Sequence, residues 1–179
     1  MGPKPNAKGQ PKKSDNAMGA KIASIVAGDP DNLTCVQVNL NCYLDIILDF
    51  AKRNLVVKLD RKIESMNEAI QDIVSQMKDG SDTDGAQKTE DDKEKLVDIQ
   101  SKLMQIRSSI QEASVSTLEL LEGNAVLSCQ EDLKVLGVDK MTSCNKYSIG
   151  VISTNEAGQL VVTPLVIGEE PIKEQPKKK

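Results

Sequence analysis

The side chains best suited to chemistry are four cysteines, at positions 35, 42, 129 and 144 of a 179-residue chain that has no histidine. They form no Cys-x-x-Cys pair, so a zinc site would need all four to converge from distant segments. Without histidine the chain lacks the Ser-His and Cys-His pairs that activate nucleophiles. Because free cysteine behaves as a small apolar residue, we expect Cys35 and Cys42 to serve as core residues, with the zinc site as the alternative.

The acidic segment Asp79–Gly85 invites comparison with a calcium-binding loop. With Gly85 at the obligatory sixth position, Gly80 falls at the first ligand position; a loop that starts at Asp79 puts Asp84 where glycine is required. Neither register works, which favours a solvated acidic loop. The sequence also lacks both glycine-rich phosphate-binding motifs, GxxxxGK[ST] and GxGxxG after a strand. We therefore predict no catalytic, cofactor-binding or metal-binding residues, no small-molecule substrate, and a protein that is not an enzyme.

The distribution of charge and hydropathy limits the classes of partner that we expect. Residues 1–21 hold five lysines and residues 171–179 hold four, whereas residues 22–170 carry 14 basic against 25 acidic side chains. These basic tails either solubilise the chain or touch an acidic surface such as a microtubule lattice through screened contacts, and nucleic acid is not expected. No run approaches the roughly 20 apolar residues of a membrane span, and the N-terminus has no signal-peptide pattern. We expect a cytoplasmic protein without a membrane partner.

The segment Leu33–Leu55 changes its periodicity part-way along. Alternation at Thr34, Val36 and Val38 predicts a half-buried strand, and Asn41 can begin a helix because its side chain accepts from free first-turn amides. The predicted helix has an apolar stripe, widened by Tyr43, Ile46 and Phe50, that consists of Leu44, Ile47, Leu48, Ala51 and Leu55.

Other strand-like segments complete a sheet around this unit. Lys21–Ala27 alternates and is joined to the next strand by the turn formers of residues 28–32. Later segments supply a strand, a short strand, a helical turn and a final strand: Thr117–Leu121, Ala125–Ser128, Gln130–Leu136 and Tyr147–Thr154. The order predicts an α+β fold, a ubiquitin-like β-grasp of residues 21–55 and 117–168. An edge hairpin of Val151–Thr154 with Gln159–Thr163 is added, and residues 1–20 and 169–179 are tails.

Residues 56–116 show the strongest periodicity in the chain. Apolar residues spaced three and four apart run from Val56 to Met77 and again from Leu96 to Ala113, with a polar stretch between them. We predict an inserted antiparallel two-helix coiled-coil hairpin, each helix roughly 33 Å long. The two seams either satisfy each other completely or leave apolar edges for a partner. The candidate partner-binding residues on those edges are Val74, Met77, Val97 and Met104.

Two short motifs carry a resemblance. Val38–Cys42 before the apolar helix, and Leu118–Leu127 followed by Glu131–Leu133, resemble a small uncharacterised ubiquitin-like family of ciliated organisms, over about half of the chain and not in 56–116. The resemblance implies a non-enzymatic structural or adaptor protein of the ciliary or flagellar axoneme, with axonemal coiled-coil proteins or tubulin as partners. The alternatives are a cytosolic ubiquitin-like adaptor unrelated to cilia and a prefoldin-like chaperone subunit, although prefoldins place their strands between the two helices.

Overall fold

The structure, a computed structural model, describes residues 21–78 and 83–173, and gives only the backbone of residues 78 and 83–89. Over these residues the fold is mixed α+β, with a seven-stranded sheet and three α-helices, two of them long. The helices are α1 (Leu44–Lys78), α2 (Thr83–Glu112) and α3 (Gly137–Lys140). The strands are β1 (Ile22–Asp29), β2 (Asn32–Asn39), β3 (Leu118–Glu122), β4 (Ala125–Val126), β5 (Lys146–Thr154), β6 (Leu160–Pro164) and β7 (Ile172–Lys173).

The main sheet has the strand order β2-β1-β5-β3-β4. β1 and β2 form the antiparallel hairpin that the sequence predicts, and β1 runs parallel to β5 at the centre. β6 pairs with the second half of β5, so that Val151 lies opposite Thr163, which confirms the predicted added hairpin. The predicted short strand covers only Ala125–Val126. The helical turn predicted at Gln130–Leu136 overlaps a 3-10 turn at Cys129–Glu131, and α3 begins directly after it.

Helix α1 crosses one face of the sheet and buries its apolar stripe there. Leu44, Leu48 and Leu55 are fully buried, as the spacing predicts. The helix then continues through residues 55 and 56 without a break, and it has 35 residues, about 52 Å of helix. None of the described helices is long and apolar enough to cross a membrane.

Helix α2 packs antiparallel to α1. Lys52 of α1 contacts the carbonyl of Ala113, and Asp60, further along α1, contacts Arg107, whose Nε lies 2.8 Å from the Asp60 carboxylate. The contacts thus run forward along α1 and backward along the second helix. Lys52 donates to the Ala113 carbonyl at the end of α2, a helix that has no basic residue in its own last turn. The lysine thus supplies the positive charge that a helix C-terminus favours.

The two long helices also share the core of the sheet. At Gly28 in β1, a Cβ atom would lie 3.2 Å from Leu103 Cδ2 and 3.6 Å from Leu59 Cδ2. Both leucines, with Ile63, Ile106 and Ile110, belong to the same buried cluster as Ile25 and Tyr147 of the sheet. The division into residues 21–55, 56–116 and 117–168 stays a prediction, but residues within 56–116 contribute to the sheet's own core. The predicted tail of residues 169–179 is described as far as residue 173, and within it β7 (Ile172–Lys173) pairs with β6. Residues 1–20 and 174–179, and residues 79–82 of the acidic loop, lie outside the described residues.

Candidate protein-interaction surfaces

The two long helices project beyond the core as an arm. Among the residues whose burial the structure describes, the last buried residue of α1 is Ile63 and the first of α2 is Gln100. We call the remaining parts, residues 64–78 of α1 and 83–99 of α2, the arm. Its α1 part extends about 22 Å past Ile63, because each residue adds 1.5 Å. The arm is therefore shorter than the 33 Å predicted for a hairpin that is separate from the sheet.

A hydrogen bond between a buried glutamine and an exposed asparagine marks the boundary between the core and the arm. Gln100 Nε2 donates to Asn67 Oδ1 at 2.6 Å and lies 3.4 Å from the carbonyl oxygen of Ile63. A polar side chain in an otherwise apolar helix seam favours the one register in which it finds its partner. The pair therefore fixes how α1 and α2 are aligned where the arm begins.

The apolar seam of the arm is only half-covered. The seam side chains whose burial is described remain partly accessible: Met66, Ile70, Ile73, Leu96 and Ile99. Two helices alone bury a narrow strip, whereas a third surface would cover the edges of such a seam. The arm therefore presents apolar surface between Met66 and Ile73 of α1 and at Leu96 and Ile99 of α2.

The four predicted partner-binding residues do not share one site. Val74 and Met77 are half-buried near the far end of the arm, and Val97 is 44% exposed on α2. Met104 is 45% exposed but lies below the arm, between the buried residues Leu103 and Ile106. Three of the predicted residues thus belong to the arm, and Met104 belongs to the part of α2 that covers the sheet.

Sequence reasoning missed an apolar surface at the start of α1. Tyr43, Ile46 and Phe50 were expected to widen the buried stripe, but Ile46 is 54% exposed and Phe50 48% exposed. The spacing contains the reason: positions 43, 46 and 50 share one side of a helix, and it is not the side of Leu44, Leu48 and Leu55. Two of the three aromatic residues of the chain therefore face outward.

An ion pair lies beside this surface. Lys134 Nζ donates to the Asp45 carboxylate in the first turn of α1. This hydrogen bond from Lys134 holds the pKa of Asp45 below its ordinary value. The same contact raises the pKa of Lys134. The pair ties the loop before α3 to the start of α1.

Glu119 and Cys129 are buried together and have a structural role. The Glu119 carboxylate is buried and accepts from the amides of Leu120 and Cys129, both at 2.9 Å. Burial first, and then the negative charge of Glu119, raise the pKa of the Cys129 thiol. Because the thiolate is the nucleophilic form, Cys129 is not an activated nucleophile.

Cys35 and Cys42, the two cysteines expected in the core, are only half-buried. Cys42 packs against the buried cluster, and Cys144 is exposed. Cys35 falls on the sheet face that points away from α1, because it alternates with the buried residues Thr34 and Val36, and Cys42 lies in the turn before α1. Within the described residues, no group of three or more Cys, Asp or Glu side chains could hold a metal ion.

Comparison of the chain with protein-family models, with curated proteins and with solved structures finds no match. The functional argument therefore comes from the surfaces themselves. Two are apolar and accessible: the arm, and the outer side of α1 near its start.

Proposed function

We propose that this protein is a non-enzymatic adaptor, in which a ubiquitin-like β-grasp forms a base and the two-helix arm docks on other proteins. The strand order β2-β1-β5-β3-β4 supports the β-grasp assignment, as does the parallel pairing of β1 with β5 at the centre. The position of α1, which follows β2 and crosses one face of the sheet, supports it further. In this proposal α1 serves both parts, because its first half covers the sheet and its second half enters the arm.

The half-covered seam carries the docking assignment. Seam residues in the core portion, such as Leu59 and Leu103, are fully buried, whereas Ile70 and Ile73 in the arm are not. Apolar residues with the same three-four spacing are therefore fully buried where the helices cover the sheet and only partly buried in the arm. An amphipathic partner helix can cover such an edge through residues at helical spacing.

We propose the ciliary or flagellar axoneme as the setting, with coiled-coil proteins or tubulin as partners. The resemblance of the motifs at 38–42 and 118–127 supports this setting, and a projecting arm suits contact between neighbours in a periodic assembly. A cytosolic adaptor unrelated to cilia would use the same arm. A prefoldin-like subunit is less well supported, because β1 and β2 precede α1 and β3 to β7 follow α2, whereas prefoldins place their strands between the two helices.

The test replaces Val74 and Val97 by lysine together. Each change removes an apolar contact worth about 1.5 kcal/mol if the valine is buried in the complex, so binding should weaken about 100-fold for the pair. The matched control is Met104→Lys, which changes an equally exposed apolar residue of α2 outside the arm. The measurement is the fraction of tagged protein retained on detergent-extracted, salt-washed axonemes.

We expect Met104→Lys to be retained like the wild type and the double arm variant to be lost, with unchanged thermal unfolding in both. Retention of the arm variant at the wild-type level would show that the arm is a spacer and would refute the docking assignment. Equal loss of all tagged proteins, the wild type included, would argue against the axonemal setting.

A further inference from the structure

Negative charge is concentrated in the arm. Residues 64–99, which comprise the arm and the segment that joins its two helices, carry 11 acidic and 4 basic side chains. The rest of the chain carries 16 acidic and 19 basic side chains. The excess of acidic residues therefore lies in the part of the protein whose apolar seam is only half-covered.

Several of these carboxylates have no partner within the protein. Three carboxylates of α2 are paired with lysines of the same helix: Glu90 with Lys93 at 3.4 Å, Asp92 with Lys95 at 4.0 Å, and Asp98 with Lys102 at 2.6 Å. The arm lysines whose side chains are described are both used in these pairs. Five other carboxylates of the arm are exposed and have no ion-pair partner among the described residues: Glu64, Glu68, Asp72, Asp91 and Glu94. The unpaired charge on the described part of the arm is thus entirely negative.

The open part of the seam continues the side of the helices that covers the sheet. Leu59 of α1 and Leu103 of α2 both lie against the backbone of Gly28 in β1. Met66 follows Leu59 by seven residues, and Leu96 precedes Leu103 by seven. Because seven residues make almost two turns, each residue lies on nearly the same side of its helix as the leucine. Past the buried core, this side is half-accessible on both helices and can take a third helix.

The charge of the arm distinguishes between the helices that could cover this seam. Packed helices lie with their axes about 8–10 Å apart, so the flanking side chains of a partner come within about one Debye length, roughly 8 Å, of the arm's carboxylates. A second copy that packed arm against arm would bring two sets of unpaired carboxylates together. A helix with lysine or arginine beside its apolar stripe instead meets opposite charge, and such flanking charges set partner choice in coiled coils.

We propose that the arm binds a basic amphipathic helix, which lies along the seam as a third helix. Its apolar stripe packs on Met66, Ile73 and Leu96, and its flanking basic side chains pair with carboxylates such as Asp72 and Asp91. This inference rests on the docking role proposed for the arm and names the chemistry of the partner. Of the two proposed axonemal partners it favours coiled-coil proteins, because the acidic surface of a microtubule would repel the arm.

The experiment uses the full-length chain and a fluorescein-labelled peptide of three repeats of Leu-Ser-Gln-Ile-Lys-Ala-Lys, read by fluorescence anisotropy. In a helix the leucines and isoleucines of this peptide form one stripe, and the lysines flank it. We expect saturable binding of this basic peptide, and binding at least tenfold weaker for the acidic peptide that has glutamate in place of each lysine. Binding of the basic peptide should also weaken as the salt concentration rises.

Charge reversal in the arm tests the assigned carboxylates. In Asp72→Lys with Asp91→Lys, binding of the basic peptide should weaken tenfold or more, because two attractions become repulsions. The matched control is Glu112→Lys with Glu156→Lys, which reverses two exposed carboxylates outside the arm and gives the same net charge. This control should bind the basic peptide like the wild type.

Four outcomes would overturn the proposal. The first is the absence of saturable binding up to about 1 mM basic peptide, the weak end of specific affinity. The second is equal binding of the acidic peptide, or of a peptide of the same composition whose apolar residues are out of helical spacing. The third is equal weakening of binding in the arm reversal and in its control. The fourth is self-association of the free protein that Val74→Lys with Val97→Lys abolishes, which would make a second copy the occupant.

Failure of this inference and failure of the docking role give different results. If the basic peptide does not bind but the Val74→Lys, Val97→Lys variant is still lost from axonemes, the docking role stands and the charge class of the partner is wrong. Retention of that variant on axonemes at the wild-type level refutes the docking role itself.

Discussion

Shortening Leu103 to alanine tests whether the long helices and the sheet form one cooperative unit. Leu103 lies in the segment that sequence periodicity assigns to a separate hairpin. Its side chain is nevertheless fully buried, and its Cδ2 atom approaches within 3.2 Å of the Cβ position at Gly28 in β1. A leucine in this position stabilises the contact between helix and sheet, and not only the contact between helices.

The expected cost follows from complete burial. Leu→Ala changes in cores cost about 2–5 kcal/mol, and the cost is larger where the cavity cannot collapse. Leu103 is enclosed by Leu59 and by the β1 backbone at Gly28, so we expect at least about 3 kcal/mol. For a chain of this size that corresponds to a fall in Tm of about 6–12 °C. The neighbouring change Met104→Ala removes a side chain that is 45% exposed and should cost less than about 1 kcal/mol.

The assay combines urea unfolding, followed by circular dichroism, with hydrogen exchange of individual amides. In one cooperative unit, Leu103→Ala lowers the protection of β1 and β5 amides by the same free energy as that of buried α2 amides. Faster exchange in α2 with unchanged protection of β1 and β5 would refute the shared core. That result would support an independently stable hairpin.

Two further predictions concern Glu119 and Asp45. Glu119→Ala leaves the buried amides of Leu120 and Cys129 without their acceptor, so it should lower the free energy of unfolding by about 2–6 kcal/mol. The control, Glu122→Ala, alters an exposed side chain and should lower the free energy of unfolding by less than about 1 kcal/mol. Urea unfolding of both variants checks this, and equal costs would contradict it. Because the pKa of Asp45 is lowered from 3.8, its contact with Lys134 stabilises the fold above about pH 4, and this contribution disappears as the pH falls through the lowered pKa. An NMR titration of the Asp45 carboxyl should show the low midpoint in the wild type and a return toward 3.8 in Lys134→Ala; equal midpoints would contradict it.

The elements that sequence predicts well are those whose signal is local. Alternation at Thr34, Val36 and Val38 reports a strand with one buried face, and the stripe from Leu44 to Leu55 reports the buried side of a helix. In both cases the pattern depends only on the repeat of the backbone conformation.

What the sequence does not reveal is the surface that a buried side faces. The three-four spacing at Leu59 and Ile63 is the same whether the residues pack on a second helix or on a sheet, so the pattern cannot locate the end of the core. The exposure of Ile46 and Phe50 was predictable from their helical spacing, because they lie on a different side of α1 from the buried Leu48. No sequence pattern predicts the burial of Glu119, because a reversal of the chain places its partner, the amide of Cys129, next to it.

The continuity of α1 gives the proposed adaptor its geometry. Phe50 on the exposed apolar side of α1 and Val74 on the arm lie on one unbroken helix, 24 residues apart, so their Cα atoms are separated by about 36 Å along its axis. The hydrogen bond from the buried Gln100 to Asn67 fixes the register of the two helices between these surfaces. Two partners bound at once would therefore be held at a set separation, and mutations at the two sites should have additive effects on binding.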